Sequence, residues 1–193
     1  ILMVSRGGQA IRFGEAAVRS MGRAASGVQG MRLRGDDEVI EVDIADDNAD
    51  LLVVTDNGWG KRTRVSEYPV KGRGGLGVQT AKLVEGKGKL AGARIVREGY
   101  QVMLISDGGT VIKISADEIK RSGRSTQGVI VMRLRDGETV STLAPVGGAD
   151  DDAAEGDVTA ADPAAAPLTD SLDTDDVTDE GDDPGDTGGD EVE

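Results

Sequence analysis

Cysteine and histidine are both missing from the 193-residue sequence. Their absence removes disulfides, Cys/His zinc sites, Ser-His-Asp triads and thiolate nucleophiles together. Aromatic residues are almost as scarce, with one Trp, two Tyr and one Phe. Proteins that grip single-stranded nucleic acid stack its bases on aromatic rings, and Phe13, Trp59, Tyr68 and Tyr100 are too few for that mode. No apolar run approaches the roughly 20 residues that cross a bilayer as a helix, so no membrane partner is expected. The chain opens inside an apolar run, Ile1-Leu2-Met3-Val4, and is expected to be a fragment in which a targeting signal cannot be judged.

Bases are missing from one part only. All 22 Lys and Arg precede residue 149, together with 18 of the 36 acids, so residues 1–148 carry +4 while residues 149–193 hold 18 acids and no base. That segment is rich in Asp, Gly, Ala and Thr and has no aromatic residue. It buries too little apolar surface to offset its chain entropy and is expected to be a disordered acidic tail. Its acids either compete with an anionic partner for the basic body or serve only solubility; composition leaves both open.

What is present is a repeat. Val4-Ser5-Arg6-Gly7-Gly8, Val54-Thr55-Asp56-Asn57-Gly58 and Ile105-Ser106-Asp107-Gly108-Gly109 recur at offsets of 50 and 51 residues, each a strand entering a glycine hairpin turn. At the same offsets come three loops of the form Gly-Arg-x-x-x-Gly-Val, starting at Gly22, Gly72 and Gly123. The middle loop contains Gly72, Gly74 and Gly77 at the spacing of a dinucleotide fingerprint, with Glu98 downstream. That motif needs a following helix to bind pyrophosphate. Val78 to Val84 instead alternates with period two, as a strand does, and the sister loops carry Ala24 and Ser125 in place of Gly74. The loop is therefore read as a special backbone presenting an arginine.

Each unit holds about four strand-like runs; in the second they are Leu51–Thr55, Trp59–Thr63, Val78–Val84 and Leu90–Val96, with a short turn at Val65–Tyr68. Four strands per roughly 50 residues describe a blade, and the expected fold is all-β and propeller-like, with three blades at about 1–47, 48–98 and 99–146.

Superposing the repeats gives three columns that are basic in every copy: Arg12, Arg62 and Lys113; Arg23, Arg73 and Arg124; Arg32, Lys82 and Arg133. Strand alternation sets Arg12 opposite Ile11 and Phe13, so the bases are expected to point outward as a track for a polyanion. Duplex DNA, held by its phosphates without base stacking, suits such a track. Lys71, Gly74 and Gly75 give the middle loop an extra charge and a backbone able to approach phosphate, making Arg73 the expected strongest contact of the three loops. The acids from Asp46 to Asp50 lack the Gly and Glu of an EF-hand and read as a solvated turn. Tyr68 and Tyr100 read as packing residues, and no catalytic or metal site is expected.

Three long stretches carry a resemblance: "AVRSMGRAASGVQGMRL", "TDNGWGKRTRVSEYP" and "EIKRSGRSTQGVIVMRL". From Ile1 to Val146 the sequence resembles the C-terminal domain of the DNA gyrase A subunit. The resemblance implies a β-pinwheel, a six-bladed propeller-like fold with its own strand order, of which the last three blades are here. It implies duplex DNA wrapped in a positive sense, in service of negative supercoiling by an ATP-dependent type II topoisomerase. The implied partners are the gyrase A catalytic core and gyrase B subunit in an A2B2 assembly, with ATP and Mg²⁺ as cofactors of that assembly and none in this chain. The implied location is cytoplasmic, on the chromosome. The family's Gln-Arg-Arg-Gly-Gly-Lys-Gly box belongs to the first blade; Lys71-Gly72-Arg73-Gly74-Gly75-Leu76-Gly77 is similar to it, departing at Lys71 and Leu76. A topoisomerase IV A subunit domain and a protein-binding propeller scaffold are the alternatives.

Overall fold

The computed structural model describes residues 1–147. The expected acidic tail lies outside the described residues. Eleven strands run β1 (Leu2–Ser5), β2 (Gln9–Arg12), β3 (Val39–Asp43), β4 (Asp50–Thr55), β5 (Trp59–Arg64), β6 (Val78–Gln79), β7 (Leu90–Val96), β8 (Gln101–Ser106), β9 (Val111–Ser115), β10 (Val129–Ile130) and β11 (Val140–Val146). Single 3₁₀ turns follow the second strand of each repeat, at Glu15–Ala17, Val65–Glu67 and Ala116–Glu118. Each repeat begins with a tight hairpin, and Gly8, Gly58 and Gly109 supply the positive φ, 78°, 77° and 80°, that such turns require. Among the described residues no helix is long and apolar enough to cross a membrane.

The strands form three antiparallel sheets, ordered β3-β1-β2-β6, β10-β5-β4-β7 and β11-β8-β9. A blade is therefore not the product of its own repeat alone. Its fourth strand comes from the repeat that follows: Val78 and Gln79 pair with Ala10 and Gln9 of the first sheet, and Val129 and Ile130 pair with Gly60 and Trp59 of the second. This corrects two sequence expectations. The run Val78 to Val84 is a strand only over Val78–Gln79, because beyond it the chain leaves one sheet for the next. The third blade has three strands among the described residues.

Glycine explains how the lent strand seats itself. A Cβ on Gly77 would stand 2.3 Å from the Ala10 carbonyl oxygen, and one on Gly128 would stand 2.5 Å from that of Gly60. No larger residue allows that approach, which accounts for the second glycine of the second and third Gly-Arg loops.

The core sits between the blades. Strand β4 is buried along its whole length, as its unbroken Leu51-Leu52-Val53-Val54 run requires of a strand covered on both faces. Leu51 and Val53 pack with Leu2, Val4, Ala10, Val65 and Tyr68 toward the first blade. Leu52 and Val54 pack with Val102, Leu104, Ala116 and Ile119 toward the third. A smaller cluster of Ile11, Phe13 and Met31, flanked by Ile1 and Met3, covers the remaining face of the first blade.

Candidate nucleic-acid interface

The three basic columns occupy three different environments. The first was expected to face outward, and there the structure overturns the expectation for two of its members. Arg62 is 6% exposed. Its guanidinium donates to the carboxylates of Asp50 (3.2 Å) and Asp117 (3.0 Å) and to the carbonyls of Asp117 and Ile119, all but Asp50 belonging to the next repeat. Arg12 makes the same reach one blade earlier, to the carbonyls of Val65 (3.3 Å) and Tyr68 (3.4 Å), and pairs with Asp47 at 2.6 Å. Both arginines clamp the 3₁₀ turn of the following repeat. The physical reason is radial stacking: the face opposite one apolar cluster meets the neighbouring blade, not water. Only Lys113, at the last blade, is exposed as expected.

The second column also ties blades together. Arg73 donates to the carbonyls of Ala17 (2.9 Å) and Gln29 (3.1 Å) in the preceding repeat. Arg124 reaches the equivalent Gln79 carbonyl at 3.5 Å and lies 6.0 Å from the centre of the Tyr68 ring. Arg23 is exposed and makes no such bond among the described residues. In the box-like loop, the Gly74 N–H donates to the Gly30 carbonyl and the Lys71 N–H to that of Arg12. Gly74 has φ +77°, and Gly75 forms a parallel bridge with Met31. These glycines shape a seat on the first blade, and two of the loop's N–H donors are engaged there. The Lys71 side chain is exposed.

The third column is exposed in all three copies. Arg32, Lys82 and Arg133 all face solvent, and no side-chain hydrogen bond or ion pair engages them among the described residues. Lys82 and Arg133 sit on crossing segments, between a strand given to the preceding sheet (β6, β10) and a strand of their own (β7, β11). The backbones of Arg32 and Lys82 are pinned by matching bonds to Gly75 and Thr126 carbonyls of the next repeat. Arg34 and Arg135 are exposed two residues further on. Sequence reasoning missed them because Val84 interrupts their column, although "MRLR" occurs twice.

Two further groups were not foreseen. The acids read as a solvated turn are mostly paired: Asp47 with Arg12, Asp46 with Arg97, and buried Asp50 with both Arg62 and Arg121. A hydrogen bond from the Asn48 N–H holds the Asp46 carboxyl below the usual carboxylate range. Lys61 is 1% exposed and donates to the carbonyls of Gly123 (2.7 Å) and Arg124 (2.6 Å) and to Thr126 Oγ1 (3.1 Å). The signal was a lone lysine where the sister repeats carry Ile11 and Ile112.

Burial lowers the Lys61 ammonium to about 8, with Glu67 opposing and Arg124 reinforcing. Burial raises the Tyr68 phenol to about 12, against its hydrogen bond to Thr80. Between pH 8 and the ordinary lysine value the unfolded chain binds the extra proton, so stability gains about 1–2 kcal/mol as pH rises through that window. Above pH 10 the sign reverses, because folded Tyr68 keeps a proton that the unfolded chain loses. Urea titrations across pH 7.5 to ~11.5 should show this rise and fall, the rise vanishing in Lys61→Met and the fall in Tyr68→Phe.

The family model described as "DNA gyrase C-terminal domain, beta-propeller" matches residues 1–46, 49–97 and 100–147. The chain is 43% identical over 146 residues to the DNA gyrase A subunit of Mycobacterium tuberculosis, covering 75% of this chain and 17% of that protein. It is 41% identical over 175 residues to that of Salmonella typhimurium, covering 89% and 20%. The chain thus spans a fifth or less of these relatives. A solved DNA gyrase A C-terminal domain superposes with a TM-score of 0.70 at 27% identity, over 75% of this chain and 49% of that one. A topoisomerase IV C-terminal domain superposes with the same TM-score at 23% identity, a likeness of fold.

Proposed function

The chain belongs to the DNA gyrase C-terminal domain family, and from that premise we propose that its body binds and wraps duplex DNA without sequence preference along the exposed bases of its blade rim. The observation that carries this reading is the third column. Arg32, Lys82 and Arg133 recur once per blade, exposed and with no side-chain partner among the described residues, and the backbones of Arg32 and Lys82 are bonded to the next repeat. Charges of one sign at a regular interval on a rigid support match a phosphate backbone, which needs cationic side chains and no base readout. Repeated contacts offset the several kcal/mol that bending a duplex over a few turns costs.

Lys71, Arg23 and Lys113 extend this surface, and Arg34 and Arg135 thicken it. Arg12, Arg62 and Arg124 hold blades in register behind it, while exposed Arg73 both ties the middle loop to the first blade and stands with Lys71 on the proposed surface, as its strongest loop contact, with Gly74 and Gly75 shaping the seat of that loop. In the larger assembly this wrapping serves negative supercoiling by a type II topoisomerase, with the gyrase A core and gyrase B as partners and ATP and Mg²⁺ as that assembly's cofactors.

Replacing Arg32, Lys82 and Arg133 together by Gln should reduce the slope of log affinity against log salt by about 2.7, close to three phosphate contacts, and weaken duplex binding roughly 30-fold or more near 0.1 M salt. The melting temperature should not move. Unchanged affinity and slope in this variant would remove the third column from the interface and with it the proposed track.

A further inference from the structure

We infer that Ile130, backed by Trp59, is a base-reading contact that meets thymine 5-methyl groups in the major groove of the bound duplex, giving the rim one place that prefers some sequences over others. The inference rests on the reading that the rim holds duplex DNA and goes beyond it, since the third column itself carries no such preference.

One repeated rim position changes character in a single copy. Gln29, Gln79 and Ile130 each stand three residues ahead of a third-column base, and all three are exposed. Gln29 and Gln79 are exposed with the next repeat seated against them, as the bonds from Arg73 and Arg124 to their carbonyls show. Exposure here therefore comes from the place in the blade and holds whatever adjoins the third sheet. Two copies meet it with glutamine; the third places isoleucine there, 51% exposed. The residue across the strand pair changes too. Gln79 is paired with Gln9, but Ile130 is paired with Trp59, the one tryptophan of the chain.

This apolar pair is set among cations. The Lys87 ammonium lies 3.5 Å from the centre of the Trp59 ring and donates to Gln127 Oε1 at 2.6 Å, with further donors for a phosphate. Arg133 lines one open depression together with Trp59, Ile130 and Leu134. Glu138, the acid of that depression, accepts from the Thr110 hydroxyl and the Arg135 N–H. The support is rigid: Val129 pairs with Gly60, the Val131 and Met132 N–H groups both donate to the Gly58 carbonyl, and a β-branched side chain has few rotamers to lose. A duplex whose phosphates reach Lys87 and Arg133 must cover Ile130. Laid against a phosphate, that side chain would strip water from a charge and return nothing. In the minor groove it would meet only polar base edges, whereas the major groove offers an apolar partner, the thymine methyl. A major groove over this patch satisfies both parts of it, the cations by phosphate and the isoleucine by methyl.

A duplex of mixed sequence made twice, once with thymine and once with uracil throughout, tests this, because the two differ only in that methyl group and carry the same phosphate charge. The parent chain should bind the thymine duplex ~3-fold more tightly, the worth of roughly one buried methyl group, with equal salt slopes for both. Ile130→Gln, which installs the residue of the sister copies, should bind the two duplexes alike at an unchanged melting temperature, and Ile130→Leu should retain the preference. Equal affinity of the parent for both duplexes, at a normal salt slope, overturns the inference and leaves the wrapping reading standing. A preference that survives in Ile130→Gln overturns it too, assigning the preference to DNA shape and the patch to another occupant such as a second copy. A parent chain that binds neither duplex removes both readings.

Discussion

Arg62→Ala should destabilise the body by about 3–5 kcal/mol, the scale of removing one partner from a buried ion pair. The arginine is enclosed between two blades, and its loss leaves Asp50, whose side chain is 5% exposed, with Arg121 as its one remaining cationic partner among the described residues. It also strips donors from the Asp117 and Ile119 carbonyls at the turn that packs Ala116 into the core. Urea denaturation should show a lower midpoint at unchanged slope. Arg32→Ala, at an exposed arginine with no such partners, should fall within about 0.5 kcal/mol of the parent. Equal effects at the two positions would mean that the Arg62 clamp contributes nothing to stability.

Duplex affinity should fall roughly 10³-fold between 50 and 200 mM salt, as expected if about six phosphates are neutralised. Three third-column bases together with Lys71, Arg23 and Lys113 supply that number of exposed cations. A single-stranded competitor of equal length should bind more weakly, because Tyr68 is buried and the Trp59 ring is covered by the Lys87 ammonium 3.5 Å from its centre, leaving little aromatic surface for stacking. A flat salt response, or tighter binding to single strands, would end the wrapping reading.

The sequence made the repeat, the hairpins and the all-β class legible, since each is written locally in glycine spacing and in alternation. It did not disclose which sheet each strand joins. Val78–Gln79 is two residues long, too short for any period, and its partner is fixed by the adjacent Gly77, which allows close approach to Ala10, far earlier in the chain. The columns were legible as bases and illegible as roles. Alternation correctly separated Arg12 from Ile11, but in a stack of blades both faces of a sheet are covered, so the side away from one cluster is the seam with the next. Only the third column is exposed in every copy and, among the described residues, free of side-chain partners. Lys61 was hidden differently: one lysine in an apolar column looks like surface until the carbonyls of Gly123 and Arg124 are seen to surround it.

The crossing segments have a mechanical consequence. Lys82 and Arg133 hang on short straps whose two ends are stitched into different sheets, β6 and β7 for one and β10 and β11 for the other. A pull on either base is therefore shared at once by two blades. A bent duplex springs back constantly against whatever holds it. If the rim holds a bent duplex as proposed, the recoil at each of these two bases divides between two blades and falls on no single sheet.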